Sequence, residues 1–132
     1  MAAEDLKIIQ KTYDMIVYGY SALRQYPKSE KHTLAADTKK SMFELLELMI
    51  RANKKYHKKT TLQDIDIELD KLRYLVRLGN ALGFLPFKKY EIWSRMLTEI
   101  GKMLGGWMKS INKLIYHFHA YLLGQKSLHR AV

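Results

Sequence analysis

Leu72-Arg73-Tyr74-Leu75-Val76-Arg77 is the stretch of this chain whose residue types and spacing best suit recognition chemistry. Arg73 and Arg77 stand four positions apart, and residues at that spacing lie on one helix face, one above the other. Two guanidinium forks side by side match phosphate or carboxylate oxygens. Asp70, three positions before Arg73, can pair with it. Arg77 has Arg73 and Tyr74 at the corresponding offsets and so has no local acid of its own. A second cationic group, Lys54, Lys55, Lys58 and Lys59, suits phosphate binding or, equally, the C-terminus of a helix, where cations complement the dipole. Lys88 and Lys89, with Arg95, repeat this pattern more weakly. Lys102 and Lys109 are seven apart and share a helix face.

Catalytic chemistry finds no comparable support. No Ser/His/Asp order and no phosphate-cradling glycine loop is present. His117 and His119 are two apart, a poor spacing for one helix face. Glu44 with Glu47, and Asp66 with Asp70, can be read as carboxylate pairs, but dinuclear metal bundles need Glu-x-x-His motifs on two helices. The chain lacks these, and it has no cysteine to build a thiolate zinc site or a disulfide. The expectation is a non-enzymatic protein with no cofactor and no metal.

Composition points the same way. The 132 residues are enough for one domain and are 48% hydrophobic, enough for a core of that size. Lys and Arg number 23 against 13 Asp and Glu, a net charge of +10, with an isoelectric point near 9.7. Such a balance favours polyanionic partners, nucleic acid above all. Residues 26–60 carry a net +5 and residues 83–113 a net +4, while residues 61–82 carry −1. The first residues are acidic rather than the basic start of a signal peptide, and no apolar run approaches the ~20 residues of a membrane span. A cytoplasmic location is expected, with no membrane association.

Four helical segments must position these cations. The first covers about 4–25, with a stripe of Leu6, Ile9, Tyr13, Ile16, Tyr20 and Leu23, Gly19 as a weak spot, and a stop at Tyr26-Pro27. The second covers about 31–57, with Met42, Leu45, Met49, Ala52 and Tyr56 on its stripe and Leu46 and Ile50 widening it. The third covers about 61–82. Thr61 is its expected N-cap, with Asp64 in a capping-box-like position. Ile65, Leu69, Leu72, Val76 and Gly79 form its core stripe. Leu75, Leu78 and Leu82 widen the apolar arc, which hints at a second contact surface such as another subunit.

The fourth helix starts near Phe87 after the turn Gly83-Phe84-Leu85-Pro86. Tyr90, Trp93, Leu97, Ile100, Leu104, Trp107, Ile111, Leu114, Phe118 and Tyr121 alternate steps of three and four. The pattern predicts a helix to about 122 that ends before Gly124. Gly101, Gly105 and Gly106 each cost about 1 kcal/mol relative to Ala inside a helix, so a close neighbour is expected against them, with Trp107 filling adjacent space. The fold class expected is all-α, an antiparallel up-down-up-down four-helix bundle over residues 1–124, with 125–132 as a short C-terminal tail.

The turn Tyr26-Pro27-Lys28-Ser29-Glu30, the Leu-Arg-aromatic-x-x-Arg run at 72–77 and Gly105-Gly106-Trp107 resemble the four-helix-bundle (Avd-like) accessory proteins of diversity-generating retroelements. That family is related to proteins encoded in intervening sequences of bacterial 23S ribosomal RNA genes. The resemblance covers roughly residues 5–113. It implies a basic homopentameric barrel that binds the retroelement's reverse transcriptase and nucleic acid, RNA or DNA, in mutagenic retrohoming. Arg73 and Arg77 match the family's basic positions. Lys54, Lys55, Lys58, Lys59, Lys88 and Lys89 are the further candidate contacts. The chain after Lys113 departs from the family pattern. The alternative reading is a stand-alone bundle of the ribosomal intervening-sequence type, with a structural or RNA-associated role.

Overall fold

The computed structural model describes the backbone of residues 3–131 and the side chains of 7–114, 117 and 120–123. Four helices account for nearly all of it: α1 (Ala3–Leu23), α2 (Leu34–Lys54), α3 (Lys59–Ala81) and α4 (Phe87–Ala131). A short 3-10 turn, Lys28–Glu30, follows the Tyr26-Pro27 stop. Each helix packs on the one before it and the one after it, and α4 closes the ring against α1. The pairings run antiparallel. Along α1, Lys11, Met15 and Tyr18 meet Glu99, Trp93 and Lys89 of α4 in descending order. Between α3 and α4, Leu69 approaches Gly101 while Arg73 reaches the Leu97 carbonyl. This is the up-down-up-down bundle that short connections impose.

The α3 stripe is buried as its spacing predicts: Ile65, Leu69, Leu72, Val76 and Gly79 all face the core. So are Met42, Leu45, Met49 and Ala52 of α2, whereas Tyr56 lies beyond the helix end and is exposed. Ile50 is also exposed, and Leu46 is half-buried. In α1 the buried face is turned by one position from the expected stripe. Ile8, Thr12, Met15, Gly19 and Ala22 point inward, with Ile16 and Leu23 beside them. Tyr13 is 57% exposed, and Tyr20 is half-buried against Phe43 and beneath Lys39. The Leu6 and Phe118 side chains lie outside the described ones.

The reason for the turned face is steric. Trp93, the largest buried side chain, must enter between α1 and α2. A Cβ at position 19 would stand 2.8 Å from Trp93 Cζ2 and 2.6 Å from Met42 Sδ. Gly19 is therefore the notch that receives the indole. Thr12, an unlikely core residue by type, satisfies its hydroxyl on the Ile8 carbonyl at 2.8 Å.

Helix ends also depart from expectation. Thr61 is not an N-cap. α3 begins at Lys59, no side chain caps it, and Thr61 is buried in the first turn, accepting a bond from Lys55 Nζ at 3.3 Å. The carboxylate at position 64 therefore closes no capping box. After Ala81, Gly83 adopts φ 81° and the Phe84 and Leu85 amides return to the Gly79 carbonyl. This is the left-handed glycine closure common at helix C-termini. α4 does not stop before Gly124 but continues to Ala131. Gly124 lies within the helix, and without a left-handed reversal a glycine only weakens a helix.

At ~1.5 Å per residue, the 45 residues of α4 make it about twice as long as its partners of 21 and 23 residues. Its inner stripe loses cover accordingly. Leu104 is buried, Ile111 half-buried, and Leu114 and Tyr121 are 64% and 61% exposed. The bundle proper ends near Ile111.

Candidate polyanion site on the α3–α4 face

Residues 70, 73, 74 and 77 fall on one face of α3, and 90, 94, 97 and 98 fall on the facing side of α4. Between them lies an open groove of about 380 Å³. The periodicity that buries Leu69, Leu72 and Val76 turns Arg73 and Arg77 outward along its rim.

The two arginines sit differently. Arg73 leans on α4, where its Nη2 donates to the Leu97 carbonyl at 3.4 Å and its Nη1 stands 3.8 Å from Asp70 Oδ1. The guanidinium lies against Gly101, where any Cβ would collide with Arg73 Nη2. The close neighbour expected at Gly101 is therefore Arg73. Arg77 is exposed, and no hydrogen bond or ion pair joins it to another described residue. Tyr74 is exposed, Tyr90 and Ser94 are half-buried, and Thr98 is exposed in the same groove.

The lysine cluster divides. Lys58 Nζ donates to the carbonyls of Ala52 at 2.6 Å, Asn53 at 3.2 Å and Lys55 at 2.7 Å. An ammonium has three protons, and all three are used to close the C-terminus of α2. Lys58 is thus part of the fold at the corner between α2 and α3, not an exposed contact. Lys55 bonds Thr61. Lys54 and Lys59 are exposed. Lys88 and Lys89 stand in the first turn of α4, where cations oppose the dipole, two and one residues before Tyr90. Arg95 is engaged with Glu91 at 3.0 Å.

Gly105 and Gly106 meet nothing within 4 Å of a Cβ built on them. The close neighbour expected against them is absent among the described residues of this chain. The outer arc of α3 is likewise uncovered, with Leu78 44% and Leu82 53% exposed. Among the described residues no group of three His, Cys, Asp or Glu is placed to hold a metal ion, and no helix is long and apolar enough to cross a membrane.

Comparison with known proteins decides the family. The bAvd-like family model matches residues 6–111. The chain belongs to the bAvd-like family. The match ends where the bundle ends, at Ile111, so the α4 overhang lies outside the matched region. No curated protein matches the chain.

Two features of the site were not visible beforehand. The Ser94 and Thr98 hydroxyls and the Tyr90 ring join the arginines only through the α3–α4 register. The Gly101 seat of Arg73 was legible as a close approach but not as an arginine seat, since glycine announces space without naming its occupant.

Proposed function

We propose that this protein is a non-enzymatic accessory factor of a diversity-generating retroelement, an adaptor that holds a reverse transcriptase together with its template RNA or cDNA during mutagenic retrohoming. The observation that carries the reading is Arg77, an exposed guanidinium without a partner among the described residues, beside the seated Arg73 on the α3–α4 face. Membership of the bAvd-like family and the net charge of +10 support it. Lys54, Lys59, Lys88 and Lys89 extend the contact surface. The uncovered outer arc of α3 and the open backbone at Gly105 and Gly106 are the surfaces through which copies assemble into a basic homopentameric barrel.

The test is co-purification with the reverse transcriptase encoded beside the gene, with and without template RNA, together with the mass of the free protein by light scattering. A complex weakened by Arg77→Ala and a pentameric mass are expected. A monomer that captures neither enzyme nor RNA contradicts the reading and favours a stand-alone bundle.

A further inference from the structure

The geometry points to the α3–α4 groove as a seat for one unpaired nucleotide of a single strand, its base on tyrosine and its phosphate on Arg77. This inference rests on the nucleic-acid part of the proposed function and names the form of nucleic acid that this face takes. Its volume of about 380 Å³ falls at the small end of ligand pockets, roughly 300–1,000 Å³. That is too small for a duplex, whose bases are stacked away inside the helix.

The lining has the two chemistries that single strands use, a cationic track for the backbone and aromatic faces for the bases. Tyr74 from α3 and Tyr90 from α4 line it from opposite sides, and Ser94 and Thr98 add hydroxyls able to bond base edges or phosphate. Neither hydroxyl bonds to a described side chain or backbone group. Tyr74, 68% exposed, costs the fold apolar exposure that packing within the chain does not offset.

Charge sets the direction of the seat. Asp70 stands 3.8 Å from Arg73 and offsets its charge, so the Arg73 end of the groove is close to neutral and attracts a phosphate less than the Arg77 end does. Arg77 has no such neighbour, and Lys88 and Lys89 immediately precede Tyr90 in sequence. The phosphate therefore lies at the Arg77 end and the base toward Tyr74 and Thr98.

The test is fluorescence anisotropy with a labelled 20-nucleotide oligouridine and a labelled 20-base-pair RNA duplex at one salt concentration. Circular dichroism on every variant checks that it folds. The native protein is expected to bind the single strand more tightly than the duplex. Tyr74→Leu should weaken single-strand binding about tenfold and leave duplex binding within twofold, whereas Tyr74→Phe retains both. Asp70→Asn should tighten single-strand binding, and Arg77→Ala should weaken it more than Arg73→Ala does. Equal binding of both probes, or a Tyr74→Leu variant that affects both alike or neither, overturns the nucleotide seat while the nucleic-acid reading stands. Failure to bind either probe overturns the nucleic-acid reading itself and the seat with it.

Discussion

The corner between α2 and α3 and the groove between α3 and α4 are both rich in cations, yet they use them in opposite ways. At the corner, Lys58 gives all three ammonium protons to backbone carbonyls. It replaces the intrahelical bonds that the last turn of α2 cannot make. In the groove, Arg73 is partly engaged with the Leu97 carbonyl and Asp70, while Arg77 bonds to no described residue. A cation is available to a partner only when the backbone beside it is already satisfied. The end of α2 presents free carbonyls and consumes Lys58. On the side of α3, Arg77 meets no such carbonyl and bonds to no described residue, while Arg73 reaches only the Leu97 carbonyl and Asp70.

This contrast orders the expected effects of substitution. Lys58→Ala leaves three carbonyls to water and should cost about 2 kcal/mol of stability, seen as a lowered urea midpoint. Its effect on RNA affinity should be small. An equally large loss of affinity in the folded variant would erase the distinction between corner and groove.

A buried group without a partner tests the same idea from inside. Tyr26 is 2% exposed, and its hydroxyl bonds to no described group. It is fitted against Gly79, and burial pushes it up to about 12. Its folded pKa lies above the ordinary value of 10.0, so its contribution is full below pH 10 and declines as pH rises toward 12. Tyr26→Phe should reduce that alkaline loss by about 2–3 kcal/mol and leave stability at pH 7 unchanged or slightly higher. An unaltered alkaline profile would place the hydroxyl in water.

Smaller effects are expected in the groove. Gly101→Ala displaces Arg73 from its seat, but the arginine is half exposed and can swing outward. Alanine also favours the helix by about 1 kcal/mol, so the net change should stay below that figure by thermal melting. A larger loss would make Arg73 a structural residue. Arg77→Ala should change stability by less than about 0.5 kcal/mol, as exposed substitutions generally do. RNA binding by the native protein should fall steeply with salt, and a flat salt profile would argue against phosphate contacts.

Much of the fold was legible in the sequence because apolar residues at helical spacing have one good solution. The α3 stripe is the clearest case, correct at every position. The α1 stripe was displaced because its core is built from Thr12 and Gly19, which do not look apolar, while Tyr13 and Tyr20 do. Only the Trp93 indole, more than seventy residues away, explains that choice. Thr61 looked like a cap because its type favours caps, yet Lys58 and Lys59 start the helix earlier and bury it. Of the candidate site, the outward pairing of Arg73 and Arg77 followed from spacing alone. The structural role of Lys58 did not, since it depends on the path of the chain between Lys54 and Lys59.

The most direct test of the account measures Arg77→Ala and Lys58→Ala side by side, for urea stability and for affinity to the template RNA. The account predicts a crossed result: Arg77→Ala retains stability and loses affinity about tenfold, while Lys58→Ala loses stability and retains affinity. Parallel losses in both variants, or an Arg77→Ala protein that binds RNA as the native one does, would contradict it.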